Sequence, residues 1–70
     1  MILEDIAKRV NLNGNEKQIL QYITEYIDDV PYLSSRELAR RTYTSSTAVL
    51  RMVKKLGFSN YNDFKLNISS

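Results

Sequence analysis

The apolar residues of this chain recur at intervals of three and four positions through most of its length. That interval places them on one face of an α-helix, because a helix completes a turn in about 3.6 residues. The pattern therefore predicts an all-α protein, and it indicates no β-strand. The apolar stripes are Leu3, Ile6, Ala7 and Val10; Ile19, Leu20, Ile23, Tyr26, Ile27 and Val30; Val49, Met52, Val53 and Leu56; and Tyr61, Phe64 and Ile68.

Residues that begin or end a helix separate the first two stripes. The segment 11–15 includes Gly14 and predicts a connection. Asn15 is predicted to cap the second helix, with Gln18 three residues later. Pro31 is predicted to end that helix, because the residue before a proline is displaced from helical geometry.

A short third helix is predicted over residues 35–41. Ser34 and Glu37 have the spacing of a capping box, in which each side chain accepts a hydrogen bond from the backbone N–H of the other residue. Leu33 and Leu38 are placed to make the apolar contact that accompanies such a box.

The three residues 42–44 leave room only for a tight turn before the fourth helix, which Ser45 is predicted to cap. Two short helices joined by such a turn form the helix-turn-helix unit. Ala39 is small at the point where the two helices would cross. We therefore predict a five-helix bundle that contains a helix-turn-helix and no β-wing.

The end of the fourth helix is also marked in the sequence. Gly57 is predicted to take the left-handed conformation just past the helix, with Phe58 folding back on Val53. Asn60 and Asp63 then open the fifth helix.

The composition restricts the possible functions. Seventy residues make one domain, 1–70, with a small core. The chain has neither cysteine nor histidine, so the commonest metal ligands, nucleophiles and general bases are missing, and we expect no enzyme and no cofactor. No apolar run reaches the length of about 20 residues that spans a bilayer, and no signal peptide is evident. We therefore expect a cytoplasmic protein without a membrane partner.

Charge is distributed unevenly along the chain. Residues 1–30 contain six acidic and three basic residues, whereas residues 31–70 contain seven basic and two acidic residues. This asymmetry favours a polyanionic partner for the second half.

The fourth helix carries short polar side chains at its beginning, and they suit contact with duplex DNA. The hydroxyl of Ser45 and the first N–H groups of the helix suit a phosphate oxygen. Ser46 and Thr47 are short enough to reach base edges, and Leu50 can contact a thymine methyl group.

Basic residues extend this candidate surface. Arg51 is placed to contact a guanine or a phosphate, and Lys54 and Lys55 are placed to neutralise the DNA backbone. Arg36 in the preceding helix is another candidate phosphate ligand. The same residue types also suit a solvated surface, and lysines stabilise the C-terminal end of any helix.

A helical protein-docking module without DNA activity is the alternative function. Such a module would expose apolar residues on the fourth helix, where Leu50 alone is predicted to be exposed. A binder of single strands would alternate aromatic and basic residues, which this chain does not do. The charge distribution therefore favours double-stranded DNA.

The stretch Ser34–Lys65, with the sequence SSRELARRTYTSSTAVLRMVKKLGFSNYNDFK, resembles the N-terminal domain of the RpiR family of regulators. Its most specific parts are Arg51, the run Lys54–Phe58, Tyr61, Phe64 and Lys65. Residues 15–27 also match, so the resemblance covers essentially the whole chain. Two features depart from the family. Tyr43 lies where many helix-turn-helix turns have glycine, which favours a different backbone geometry there. Thr47-Ala48 reverses the Ala-Thr order that is associated with the family.

The resemblance implies a five-helix DNA-binding domain of a bacterial regulator of sugar metabolism. In that family a C-terminal domain, outside these 70 residues, binds a phosphorylated sugar. Specific operators are normally bound by dimers, so a homodimer is expected. Its candidate contact surface contains Leu3, Ile6, Tyr22 and Tyr26.

Overall fold

The structure is a computed structural model that describes Asp5 and residues 8–69. In this part of the chain a 3-10 helix, Val30–Tyr32, lies between the first two of four α-helices. No residue of the described ranges forms a β-strand, which confirms the all-α prediction. None of the helices described is long and apolar enough to cross a membrane. The α-helices are α1, Gly14–Glu25; α2, Ser35–Arg41; α3, Ser46–Lys55; and α4, Tyr61–Ile68.

The predicted count of five helices is not matched, because four α-helices have bounds within the described residues. These correspond to the second to fifth predicted helices. Asp5, Lys8 and Arg9 are also helical. The first prediction rests on Leu3, Ile6 and Ala7, which lie outside the described residues. Val10, the last residue of that stripe, is half-buried and packs against the core.

Each of the four α-helices begins at a side chain that accepts a hydrogen bond from the backbone N–H three residues later. The caps are Asn13, Ser34, Ser45 and Asn60, with donor–acceptor distances of 2.9, 3.1, 3.1 and 2.8 Å. A cap of this type contributes about 1 kcal/mol to stability. The last three caps confirm the predictions.

Helix α1 begins earlier than predicted, because Asn13 rather than Asn15 caps it. Asn13 Oδ1 accepts from the Glu16 N–H, and Glu16 Oε1 accepts from the Asn13 N–H, both at 2.9 Å. This reciprocal pair satisfies two N–H groups that the first turn of a helix leaves unbonded. Gln18, the predicted partner of Asn15, instead donates to the Thr42 carbonyl.

The predicted end of this helix at Pro31 is also wrong. α1 ends at Glu25, and Pro31 lies within the 3-10 helix. Val30 continues the apolar stripe of α1 and is fully buried, but it reaches the core from the 3-10 helix. Apolar spacing alone does not show whether Val30 is buried from a longer α1 or from a separate 3-10 helix.

Helix α2 has the predicted bounds, but its capping box is incomplete. The Ser34 hydroxyl accepts from the Glu37 N–H as predicted. The Glu37 carboxylate lies 3.4 Å from the Arg40 guanidinium, so the side chain pairs within the helix. Leu33 and Leu38 are both buried, as the predicted apolar contact requires.

Helix α3 ends in the predicted way. Gly57 has φ 101°, a left-handed conformation that glycine adopts without steric cost. The Gly57 N–H donates to the Lys54 carbonyl at 3.0 Å, and the Phe58 N–H donates to the Val53 carbonyl at 3.2 Å. These two bonds form a Schellman motif. The Phe58 ring meets the Phe64 ring edge-on, with centroids 5.4 Å apart, so aromatic packing continues the connection to α4.

Helix α3 lies at the centre of the fold, where it packs against α1, α2 and α4. Its buried side chains are Val49, Met52 and Val53, and full burial of a side chain of this kind contributes about 1.5–3 kcal/mol to stability. One side of α3 is therefore committed to the core, and only the opposite side is free for a ligand. The buried residues of the four helices include Ile19, Ile23, Leu38, Ala39, Val49, Met52, Val53, Phe64 and Ile68.

Candidate nucleic-acid interface

The turn between α2 and α3 is held by two threonine hydroxyl groups. The buried Thr42 hydroxyl lies 2.9 Å from the Leu38 carbonyl and 2.8 Å from the Thr44 hydroxyl. The Thr44 N–H donates to the Ala39 carbonyl at 2.9 Å. These bonds fix the direction in which the chain enters α3.

Tyr43 has φ 57°, and no other non-glycine residue in the described part of the chain has a positive φ. The expectation of a different geometry at this position is therefore wrong, because the tyrosine takes the left-handed conformation that a glycine would supply. Its side chain is 90 % exposed. Packing of the ring therefore offsets little of the steric cost of this conformation.

A side chain of α1 supports the same turn. Gln18 Nε2 donates to the Thr42 carbonyl at 2.7 Å. The two residues are 24 positions apart in the sequence, so no local pattern indicates the bond. Gln18 is thus a positioning residue for the helix-turn-helix that sequence analysis missed.

Four of the predicted site residues lie together on the outer side of α3. Thr47, Leu50, Arg51 and Lys54 are exposed, and helical geometry places them opposite the buried side of the helix. Arg51 and Lys54 form no salt bridge with any residue that the structure describes. These four residues form the free face of α3.

The serines occupy the beginning of α3. The exposed Ser45 hydroxyl accepts from the Ala48 N–H at 3.1 Å, so its first role is that of a cap. Ser46 is half-buried. Thr47 therefore has the more accessible hydroxyl of the two residues predicted to reach base edges.

Lys55 differs from the other predicted lysine, Lys54, because it is paired within the protein. Its Nζ lies 2.8 Å from Glu16 Oε1 and 3.5 Å from the Asn11 carbonyl. Burial acts to raise the pKa of Glu16, but the hydrogen bonds from Lys55 and Asn13 and the charges of Lys55 and Arg51 lower that pKa below its ordinary value. Lys55 therefore joins the C-terminal end of α3 to the start of α1.

The three arginines of α2 have different surroundings. Arg36 is exposed and forms no salt bridge within the described residues. Arg40 pairs with Glu37, and the Arg41 guanidinium donates to the Tyr22 hydroxyl at 3.2 Å. Of these three arginines, only Arg36 lacks a side-chain partner among the described residues, as its predicted role at a phosphate requires.

Two short helices, a fixed turn and a second helix with a free polar face define a helix-turn-helix domain of the class found in transcriptional regulators. The comparison of sequences specifies the class further. The chain belongs to the rpiR family of helix-turn-helix domains, whose profile matches residues 1–70.

Similar proteins are described as HTH-type transcriptional regulators. An uncharacterized regulator of Clostridium perfringens is 31 % identical over 97 % of this chain and 25 % of its own length. The regulator GlvR of Bacillus subtilis is 36 % identical over 94 % of this chain and 27 % of its own length. The chain thus spans about a quarter of the length of these relatives. No solved structure matches it.

Proposed function

We propose that this domain binds duplex DNA in a sequence-specific manner, with α3 in the major groove. The observation that carries the proposal is the free face of α3, which combines a hydroxyl, an aliphatic group and two cations that form no salt bridge with a described residue, all on the exposed side of the helix. An α-helix fits the major groove, and those chemical groups match base edges and phosphates.

Within this proposal the residues have separate roles. Thr47 and Arg51 contact base edges, and Leu50, which is 40 % exposed, contacts a thymine methyl group. Ser45 lies against the DNA backbone at the start of α3, and the half-buried Ser46 is a second candidate for contact with a base edge. Lys54 and Arg36 neutralise phosphates.

Lys55 has a reduced role in phosphate contact. Its ammonium group is already engaged by a carboxylate that is 1 % exposed. A phosphate would have to share that ammonium group with Glu16. Lys55 therefore acts chiefly through the orientation of α3.

The alternative docking function has less support from the surface of α3. Leu50 is the one large exposed hydrophobic residue on this helix. Docking surfaces are usually rich in aromatic and apolar groups at their centre, whereas the neighbours of Leu50 on the free face are polar or charged.

We further propose that the complete protein is a cytoplasmic regulator of sugar metabolism in which two copies bind two half-sites. A phosphorylated sugar would act through the family's C-terminal domain, outside these 70 residues. The structure describes two residues of the predicted self-association surface, Tyr22 and Tyr26. Their ring centroids lie 4.6 Å apart, and Tyr26 is 46 % exposed. Leu3 and Ile6 lie outside the described residues.

The proposed function is tested by selecting bound duplexes from a random pool. The affinity of the domain is then measured for a selected duplex and for a scrambled duplex of the same composition. We expect tighter binding of the selected duplex and a slope of log affinity against log salt of about −2, because Arg36 and Lys54 each neutralise one phosphate. Equal affinity for both duplexes would refute sequence specificity, and a flat salt response would refute the phosphate contacts.

The effector proposal has its own measurement. Sugar phosphates titrated against the domain on DNA are expected to leave its affinity unchanged. A reproducible shift at low sugar-phosphate concentration would place an effector site within this domain.

A further inference from the structure

Lys65 on α4 is held beside a tyrosine ring. Its Nζ lies 5.3 Å from the centroid of the Tyr61 ring, one helical turn earlier. Lys65 is half-buried, and its ammonium group lies over an aromatic face. The position of this cation therefore depends on where Tyr61 is anchored.

Tyr61 is anchored to the start of α2. Its hydroxyl donates to the Leu33 carbonyl at 2.8 Å in a buried hydrogen bond. Burial raises the pKa of Tyr61 to about 12, so the hydroxyl keeps its proton and remains a donor. Leu33 directly precedes Ser34, the cap of α2, and Arg36 follows two residues later.

Tyr61 thus connects the Lys65 cation of α4 to the end of α2 that carries Arg36. Lys65 forms no salt bridge with any described residue. The nearest acid in its own helix is Asp63, whose carboxylate accepts from the Ser59 N–H at 2.9 Å. A half-buried lysine that has no carboxylate partner among the described residues is suited to an anion from another molecule.

We propose that Lys65 is a further DNA-contact residue, which binds a phosphate of the backbone strand that α2 crosses. This inference rests on the proposed function of the domain. In helix-turn-helix complexes the first helix of the unit crosses the DNA backbone while the second lies in the groove. Tyr61 is the positioning residue for this contact, and Arg36 provides a second cation at the same end of α2.

The test compares Lys65→Gln with Lys17→Gln in duplex titrations over a range of salt. Lys17 is an exposed residue of α1 that borders a surface groove with Leu20 and Thr24, and its substitution removes the same charge. Lys65→Gln is expected to decrease the magnitude of the salt slope by about 0.9. It is also expected to lower the affinity for selected and scrambled duplexes equally. Lys17→Gln is expected to leave the slope unchanged, and Lys65→Arg is expected to restore it.

Thermal unfolding of each variant separates a contact from a structural role. A lower melting temperature of Lys65→Gln with an unchanged salt slope would overturn the inference. So would an equal change of slope in both glutamine variants. If the wild-type domain bound neither duplex, the proposed function itself would fail. If the wild type bound DNA and Lys65→Gln kept the wild-type salt slope, only the inference about Lys65 would fail.

Discussion

The Lys55 ammonium group lies 2.8 Å from the Glu16 carboxylate, which joins the last residue of α3 to the first turn of α1. The same carboxylate oxygen accepts the Asn13 N–H, so one buried acid completes a helix cap and an ion pair. The two ends of α3 are thus tied to α1, here by Glu16 and near its start through the Gln18 bond to the turn.

Substitution of Lys55 should therefore affect stability more than substitution of Lys54. Lys55→Ala leaves the Glu16 carboxylate buried without its cation, and we expect a loss of about 1–2 kcal/mol. Lys54→Ala removes an exposed side chain that forms no salt bridge with a described residue, and it should change stability by less than about 0.5 kcal/mol. Urea denaturation of both variants at neutral pH measures the difference, and equal stabilities would show that the ion pair is not stabilising.

The lowered pKa of Glu16 predicts a specific dependence of stability on pH. Because the folded pKa is below the ordinary value of 4.5, the unfolded state binds the proton more readily. The contribution of Glu16 to stability is present above pH 4.5 and is lost as the pH falls through the folded pKa. Glu16→Gln should therefore be less stable than the wild type at pH 7, with a gap that narrows in acid. A gap that widened on acidification would contradict this sign.

Arg51 and Lys54 on the free face of α3 should affect DNA binding in different ways. If Arg51 contacts guanine, Arg51→Ala should cost about 1–3 kcal/mol against the selected duplex, with the loss assigned to one base position. Lys54→Ala should weaken all duplexes about equally, because phosphates carry no sequence information. Titrations with duplexes substituted at single positions test this. Parallel losses for both variants on selected and scrambled DNA would remove Arg51 from base contact.

The left-handed conformation of Tyr43 predicts a stabilising substitution. Tyr43→Gly removes a steric cost of roughly 1–2 kcal/mol. Glycine also makes the unfolded state more favourable through its greater chain entropy, by about 0.5–1 kcal/mol. The expected net result is a gain in stability of up to about 1 kcal/mol. Tyr32 is a matched control, since it is 88 % exposed and has no positive φ. Tyr32→Gly should lower the melting temperature while Tyr43→Gly raises it. A lower melting temperature in both would show that the Tyr43 side chain stabilises the turn.

The sequence by itself determined the features that depend on residues close together in the chain. Ser34, Ser45 and Asn60 each bond to a backbone N–H three residues later, and Gly57 closes α3 through its immediate neighbours. The free face of α3 was predictable for the same reason. The helical period of about 3.6 residues places Thr47 and Arg51 on the side opposite the apolar residues of the same helix. The cap residue needs only the first turn of its own helix, so its type and position are enough to identify it. The reciprocal half of the predicted capping box of α2 shows the limit, because the Glu37 carboxylate has an equally local partner in Arg40.

Tertiary structure alone decided the features that join distant segments. Lys55 pairs with a residue 39 positions away, and the Tyr61 hydroxyl reaches a carbonyl 28 positions away. The start of α1 combines both ranges, because Asn13 and Glu16 are three residues apart as in any capping box, while the Glu16 carboxylate is also buried against Lys55. Such contacts depend on how the helices pack, and helical periodicity specifies which side of a helix is buried but not which residue of another helix it meets.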